Sequence, residues 1–256
     1  GPTNDAPRYL EIGFDKAVRN EGESAFGAWE LGGERILTAP LLENLDSLPF
    51  ADRDLVDIRS YTFKVRDRDG KPLASTHIMS TRGCPFSCGH CCGREQEYYR
   101  RYRAFSPERI VAELEFIREK WGYTAIQDYA DEVNVDRKWL LHYSSLLEGR
   151  GFVLRSFCVA KLFTEEVAKA MAGAGWTEVC FGVESGSAEV LKRAAINKTT
   201  PEASLKAVKL AQKHGIRAKA FLMGGLPGET RETVEETRRW LLDARPDDFD
   251  MSIFTP

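Results

Sequence analysis

At 256 residues with 43% apolar side chains, the chain is long enough to bury a full-sized core, as one large domain or one domain with an appendage. A formal net charge of -3 gives no global attraction to nucleic acid or anionic membrane, and no apolar run approaches the roughly 20 residues of a spanning helix. Gly1-Pro2, with no initiator methionine, reads as an expression scar and takes no part in the fold argument.

Residues 1 to 75 come first and differ in texture from the rest. The stretch LLENLDSLPFADRDLVDI carries Pro49 and reads as a connector, and YTFKVRDRDGKPLAS predicts a hairpin turning at Asp69-Gly70. This is too little for an independent core, so the segment is expected to pack on the remainder of the chain or to belong to a longer protein. From residue 76 onward, β-rich runs alternate with helical periodicity. The runs THIMSTRG, TAIQDYAD, FVLRSFCVA, TEVCFGVES, RAKAFLMGG and DFDMSIFTP predict six strands. Ser106-Pro107 and Gly122 bracket the first helix between them, with Ile110, Val111, Leu114 and Ile117 on its apolar face. Asp136, Thr200 and Thr230 are expected caps of later helices, and Ser187 of the helix after the fourth strand. Repeated strand-helix-strand units demand a parallel α/β sheet with right-handed crossovers, whose chemistry gathers at the C-terminal strand ends.

One such end carries STRGCPFSCGHCCGREQ, in which Cys84, Cys88, Cys91 and Cys92 fall within nine positions. Disulfides among them would close only tiny loops. With no leader in view, the chain reads as cytoplasmic, a reducing compartment where such clusters hold metal or do chemistry. Structural zinc wants four closed ligands, and no second CxxC pair is present to complete a set with this one. Three thiolates in one turn suit a four-iron cluster instead, and leave one iron free to bind something else. Cys158 and Cys180 lie in apolar runs and read as core residues.

The pattern Cys84-xxx-Cys88-x-His90-Cys91 after a first strand resembles the signature of the radical SAM enzymes. DYADEVNVDRKWL, CFGVESGSAEVLKR and AFLMGGLPGET come next in that family's order and spacing, so the resemblance covers residues 76 to 256. It implies a partial (β/α)6 TIM-like barrel with an N-terminal extension. It also implies a 4Fe-4S cluster on Cys84, Cys88 and Cys91, with S-adenosyl-L-methionine on the open iron. A reduced cluster would then cleave that cofactor to a 5'-deoxyadenosyl radical, which abstracts hydrogen from substrate, with a flavodoxin or ferredoxin as electron donor. By the same resemblance, Asp131 and Glu132 accept hydrogen bonds from the cofactor's ammonium, although as bare residues they also suit a helix N-terminus ahead of Asp136. Glu184 and Ser185 contact the methionyl part or the ribose, and the backbone at Met223 and Gly224 approaches the adenine. His90 replaces the usual aromatic residue and can stack on adenine or titrate. Lys161 or Arg155 stands where an arginine would pair with the cofactor carboxylate.

FDKAVRNEGESAFGAWELGG followed by LLENLDSLPFADRDLVD resembles the tail and linker of the cobalamin-binding domain found in one branch of the family, with Asn20 in place of a glycine in its GEGE-like turn. The cobalamin-binding half with its histidine motif is not in this chain, so cobalamin is expected only of a longer parent protein. There a radical methyltransferase is the alternative reading, beside a non-catalytic iron-sulfur protein. Tyrosines and arginines interleave over residues 94 to 103, but the patch is short and the net charge negative, so nucleic acid is not the expected partner.

Overall fold

The computed structural model describes residues 5–25, 33–61, 63–96 and 98–255. Part of the linker-like stretch, 26–32, and Gly1-Pro2 therefore lie outside the described residues. Eleven strands are present among those described: β1 (Ala17–Arg19), β2 (Ile36–Thr38), β3 (Lys64–Arg66), β4 (Pro72–Ile78), β5 (Thr81–Arg82), β6 (Arg103–Ala104), β7 (Ala125–Asp128), β8 (Val153–Cys158), β9 (Trp176–Glu184), β10 (Arg217–Gly224) and β11 (Asp248–Ile253). Seven of them make one sheet in the order β11-β10-β9-β8-β7-β4-β3, curled into a half-barrel. All neighbours are parallel except β3, which pairs antiparallel with β4 through Lys64–Ala74 and Arg66–Pro72.

The six expected strands are therefore present, and the predicted hairpin adds a seventh. β4 begins at Pro72, so the expected division after residue 75 falls inside one strand. The hairpin closes on the barrel because Asp67 accepts from the amides of Asp69 and Lys71, and Gly70 adopts a left-handed φ of 83°.

Alternation along the strands sorts side chains onto two faces. Ile78, Ile126, Leu154, Val179, Phe181, Ala218, Ala220 and Leu222 are buried against the helices Pro107–Trp121, Arg137–Leu147, Glu165–Ala174 and Pro201–Lys213. Leu45 joins this core, with Leu42 and Leu48 partly buried against it, so the N-terminal segment does pack on the barrel. Ser106, Asp136, Thr200 and Thr230 cap their helices with side-chain hydrogen bonds as expected. Ser187 occupies the expected N-cap position but makes no such bond, and its hydroxyl is buried without a partner. Its own amide donates to Ser185 Oγ. No helix among the described residues is long and apolar enough to cross a membrane.

Candidate functional site

The cysteine turn is tied at both ends. β5 and β6 pair antiparallel, Thr81 with Ala104 and Arg82 with Arg103, and so close a loop from Gly83 to Tyr102. Gly83 holds φ at 91°, and a side chain there would meet the carbonyl oxygens of Arg101 and Tyr99 at 2.3 and 2.8 Å. Its amide donates to Asp131 Oδ2 at 2.7 Å, the Tyr99 hydroxyl donates to Asp131 Oδ1 at 2.7 Å, and the Cys84 amide donates to the Tyr99 carbonyl at 2.8 Å. Farther along, the Gly89 amide donates to the Ala195 carbonyl, and a Cβ at Gly89 would lie 2.2 Å from the Ala194 carbonyl oxygen. The turn is thus pressed onto the C-terminal end of the helix Ala188–Arg193, which comes after β9.

Cys88 is buried with Val190, Leu191, Ala194, Ile196 and Leu226, and Phe86, Cys91 and Met223 pack against that group. Its thiol lies 3.6 Å from Asn197 Oδ1, while Asn197 Nδ2 donates to Ser87 Oγ at 3.3 Å. Burial pushes the Cys84 thiol up to about 11, helped by the negative charges of Glu132 and Asp131. Cys92 is exposed, whereas Cys158 and Cys180 are buried, as expected of core residues. Among the described residues no three His, Cys, Asp or Glu side chains gather closely enough for one metal ion. A polynuclear cluster needs no such convergence, because each thiolate binds a different iron.

A charged group lies beside the turn. Lys198, in the loop after that helix, sends Nζ to Glu132 Oε1 at 3.1 Å and to within 3.8 Å of Glu184 Oε1. His90 Nε2 stands 3.9 Å from the same Glu184 oxygen. Burial disfavours the charge on Lys198, but the two carboxylates outweigh it and hold its pKa above the ordinary value. Burial raises both carboxyls against the pull of Lys198. Burial, and then the Lys198 charge, depress His90, so its ring is neutral at neutral pH. Glu132 Oε2 is buried without a partner, an acceptor left open. Glu184 itself is held at φ 63°, a left-handed conformation that a non-glycine residue adopts at a cost of about 1 kcal/mol or more. Gly182 makes room for it, because a Cβ there would lie 2.5 Å from Glu184 Oε1 and 2.8 Å from Lys198 Nζ.

The structure therefore distributes the expected residues unevenly. Cys84, Cys88, Cys91, His90, Glu132 and Glu184 come together. Asp131 comes with them, and each of its oxygens accepts one hydrogen bond from the loop, so it tethers the cysteine turn. Ser185 is turned away to Thr237, 3.2 Å between hydroxyls, and supports the strand end. Lys161 donates to the Asn197 carbonyl at 2.7 Å and borders the site. Arg155, the other candidate for the cofactor carboxylate, lies deeper in the barrel. Its guanidinium is bound to Glu178 and Gln127, which separates it from the cysteine turn. Met223 flanks Cys88, and the position of a Cβ on Gly224 is open to within 3.5 Å of Ile253. Of the arginines in the Tyr/Arg stretch, Arg103 is buried in its pair with Glu21, and Arg101 pairs with Glu43 at the surface. Lys198, Asn197 and Gly182 escape the sequence reading. The only signal for Lys198 is a lone cation in the loop INKTT, on the same side of the sheet as the other strand-end residues.

Comparison with known proteins bears on this geometry. The model of the Radical SAM superfamily matches residues 78–241. An uncharacterized methyltransferase of Pyrococcus horikoshii is 34% identical over 84% of this chain and 45% of its own length. The anaerobic magnesium-protoporphyrin IX monomethyl ester cyclase of Cereibacter sphaeroides is 28% identical over 88% of the chain and 37% of its own length. The chain thus spans less than half of these relatives. Among solved structures, the cobalamin-dependent S-adenosylmethionine radical enzyme OxsB with aqua-cobalamin bound overlays 94% of this chain and 38% of its own at a TM-score of 0.72 and 17% identity. The radical S-adenosylmethionine methyltransferase TsrM of Kitasatospora setae, with cobalamin and a [4Fe-4S] cluster bound, overlays 69% of this chain and 36% of its own at 0.64 and 22%. At these identities the two share its fold. The partial barrel, the cysteine turn at its rim and the match over most of the barrel lead to one conclusion: the chain belongs to the radical SAM superfamily of enzymes.

Proposed function

We propose that Cys84, Cys88 and Cys91 hold a 4Fe-4S cluster whose open iron binds S-adenosyl-L-methionine, and that the chain uses this pair to abstract hydrogen from an organic substrate. The observation that carries the reading is the buried Glu132–Lys198–Glu184 group beside the cysteine turn, with one Glu132 oxygen left without a donor. A buried acceptor costs about 1–3 kcal/mol when unsatisfied, and an ammonium arriving at the open iron would relieve it. When bound, the cluster and its cofactor supply one-electron reductive cleavage of the sulfonium.

The chain's own residues do the rest. Glu132 Oε2 would accept from the methionyl ammonium, and the Lys198 charge draws both buried carboxyls back towards the ionised form. Glu184, fixed in its left-handed turn above Gly182, presents its carboxylate on the same side. His90 offers a flat, neutral ring. Met223, Leu226 and Ile196 keep water from the flank of Cys88, where it would compete for the iron and protonate the thiolate. A flavodoxin or ferredoxin is the proposed electron donor. Methyl transfer is the second reading, favoured by the name of the Pyrococcus relative. Cobalamin, if it takes part, belongs to a longer parent protein.

The experiment is anaerobic reconstitution with iron and sulfide, reduction with dithionite, and mass spectrometry of the cofactor's products. The expected product is 5'-deoxyadenosine. Glu184→Ala is expected to weaken cofactor binding more than it lowers iron content. S-adenosylhomocysteine without 5'-deoxyadenosine, in the presence of substrate, would favour methyl transfer. Full iron with neither binding nor cleavage would show a non-catalytic iron-sulfur protein.

A further inference from the structure

Outside the cofactor group, the most completely satisfied buried carboxylate of the N-terminal segment is Glu21. It comes after Asn20, whose φ of 68° explains why the sequence tolerates asparagine where a glycine is usual. Glu21 is 8% exposed and receives four hydrogen bonds. Arg82 Nη1 donates to Oε1 at 3.0 Å, Arg103 Nη2 to Oε1 at 3.0 Å, Arg103 Nη1 to Oε2 at 2.8 Å, and the Leu42 amide to Oε2 at 2.9 Å. Burial raises its pKa, but these donors outweigh burial and hold the carboxyl below its usual value.

The two arginines are not arbitrary partners. Arg82 and Arg103 face each other across the β5–β6 pair, and that pair is the neck of the cysteine loop. Arg82 lies two residues before Cys84. A single carboxylate from residue 21 thus bridges both strands at the point where the loop begins and ends. Glu23 adds a second contact to Arg82 at 2.6 Å, and Glu43 one to Arg101 at 2.9 Å. Two like charges side by side at the neck would push the strands apart without an anion between them.

We infer that Glu21 is a positioning residue for the cysteine turn: it clamps Arg82 and Arg103 together and thereby sets the placement of Cys84, Cys88 and Cys91 over the barrel. The segment that resembles a cobalamin-domain linker is in this way joined directly to the cluster loop. This rests on the reading of that turn as the cluster loop. Glu21 touches neither cluster ligand nor cofactor group, so its effect passes through the neck. Asp131 ties the same loop from the barrel side, at the Gly83 amide and the Tyr99 hydroxyl.

The test uses the full chain with Glu21→Gln, which keeps shape and loses charge. In the iron-free protein, amide hydrogen exchange over residues 83–104 is expected to quicken about tenfold or more, the scale of losing charge-assisted hydrogen bonds, while β8 and β10 exchange as before. Arg103→Gln added to Glu21→Gln is expected to add less than Arg103→Gln does alone, because the Glu21 contact is already gone and the bond from Arg103 to the Leu42 carbonyl is what is left to lose. In reconstituted protein of equal iron content, the S-adenosylmethionine concentration giving half-maximal change in the reduced cluster's electron paramagnetic resonance spectrum is expected to rise about tenfold. Unchanged exchange in the loop, or exchange quickened throughout the chain, would overturn the inference. A wild-type chain that takes up iron but ignores S-adenosylmethionine would sink the proposed function instead, and leave the exchange result to decide on Glu21.

Discussion

Replacing Lys198 by methionine removes the cation that lies between Glu132 and Glu184 and leaves a side chain of similar length. The lysine side chain is 19% exposed, and those of Glu132 and Glu184 are 6% and 8% exposed, so this is a pair broken in the interior and not a screened surface contact. Removing one partner of such a pair costs about 3–5 kcal/mol, because the remaining charge is left buried. For a domain of this size each kcal/mol is worth about 2–4 °C, so Tm should fall by roughly 6–20 °C. The loss should also depend on pH. Lys198 has a raised pKa, so its contribution is present throughout the range below the ordinary lysine value, and its removal is felt at neutral pH. Glu132 and Glu184 are carboxyls with raised pKa values, so they cost stability as pH rises through their folded values and cease to do so below their unfolded ones. Without Lys198 both rise further. The variant's deficit is therefore largest near pH 8 and shrinks towards pH 5.5, roughly, as the carboxyls take up protons. Circular-dichroism melts of the iron-free chain and its Lys198→Met variant at both pH values measure this. A Tm within about 2 °C of wild type near pH 8, or a deficit that grows on acidification, would mean that Lys198 does not neutralise this buried pair.

Alanine at Cys84, Cys88 or Cys91 should abolish the brown iron-sulfur chromophore, whereas Cys92→Ala, at an exposed position, should leave it; iron analysis and absorbance decide, and loss only with Cys92→Ala would mean the wrong triad. Gly182→Ala should keep its iron but lose cofactor affinity by about tenfold or more, since the new Cβ would displace the Glu184 carboxylate and Lys198 Nζ, lying 2.5 and 2.8 Å away; unchanged affinity in an equilibrium titration would show that this pair does not face the cofactor.

Strands, caps and the cysteine turn were legible because each rests on local chemistry. Alternating β-branched runs announced six strands, and Ser106, Asp136, Thr200 and Thr230 announced helix starts whose side chains do bond the backbone. Ser187 had the right residue type, but its amide partner is chosen by Ser185, whose orientation depends on Thr237 in a distant helix. The split of roles between Asp131 and Glu132 was hidden for a similar reason. Adjacent side chains diverge, and only the fold shows that one meets Gly83 and Tyr99 while the other meets Lys198. Arg155 and Lys161 were equal candidates by sequence spacing. The strand places Arg155 opposite Glu178, and a buried guanidinium takes the nearest carboxylate. Long-range electrostatic partners, Glu21 with Arg82 and Arg103 above all, are separated by 61 and 82 residues and leave no local pattern to read.

Electron paramagnetic resonance of the anaerobically reconstituted, dithionite-reduced chain, with and without the cofactor, tests whether the three cysteines hold a four-iron cluster with one iron open to S-adenosyl-L-methionine. About four irons per chain are expected, and a reduced-cluster spectrum that shifts on adding S-adenosylmethionine in wild type but far less at equal concentration in Glu132→Gln. A spectrum that the cofactor does not change, at full iron content, would contradict this arrangement.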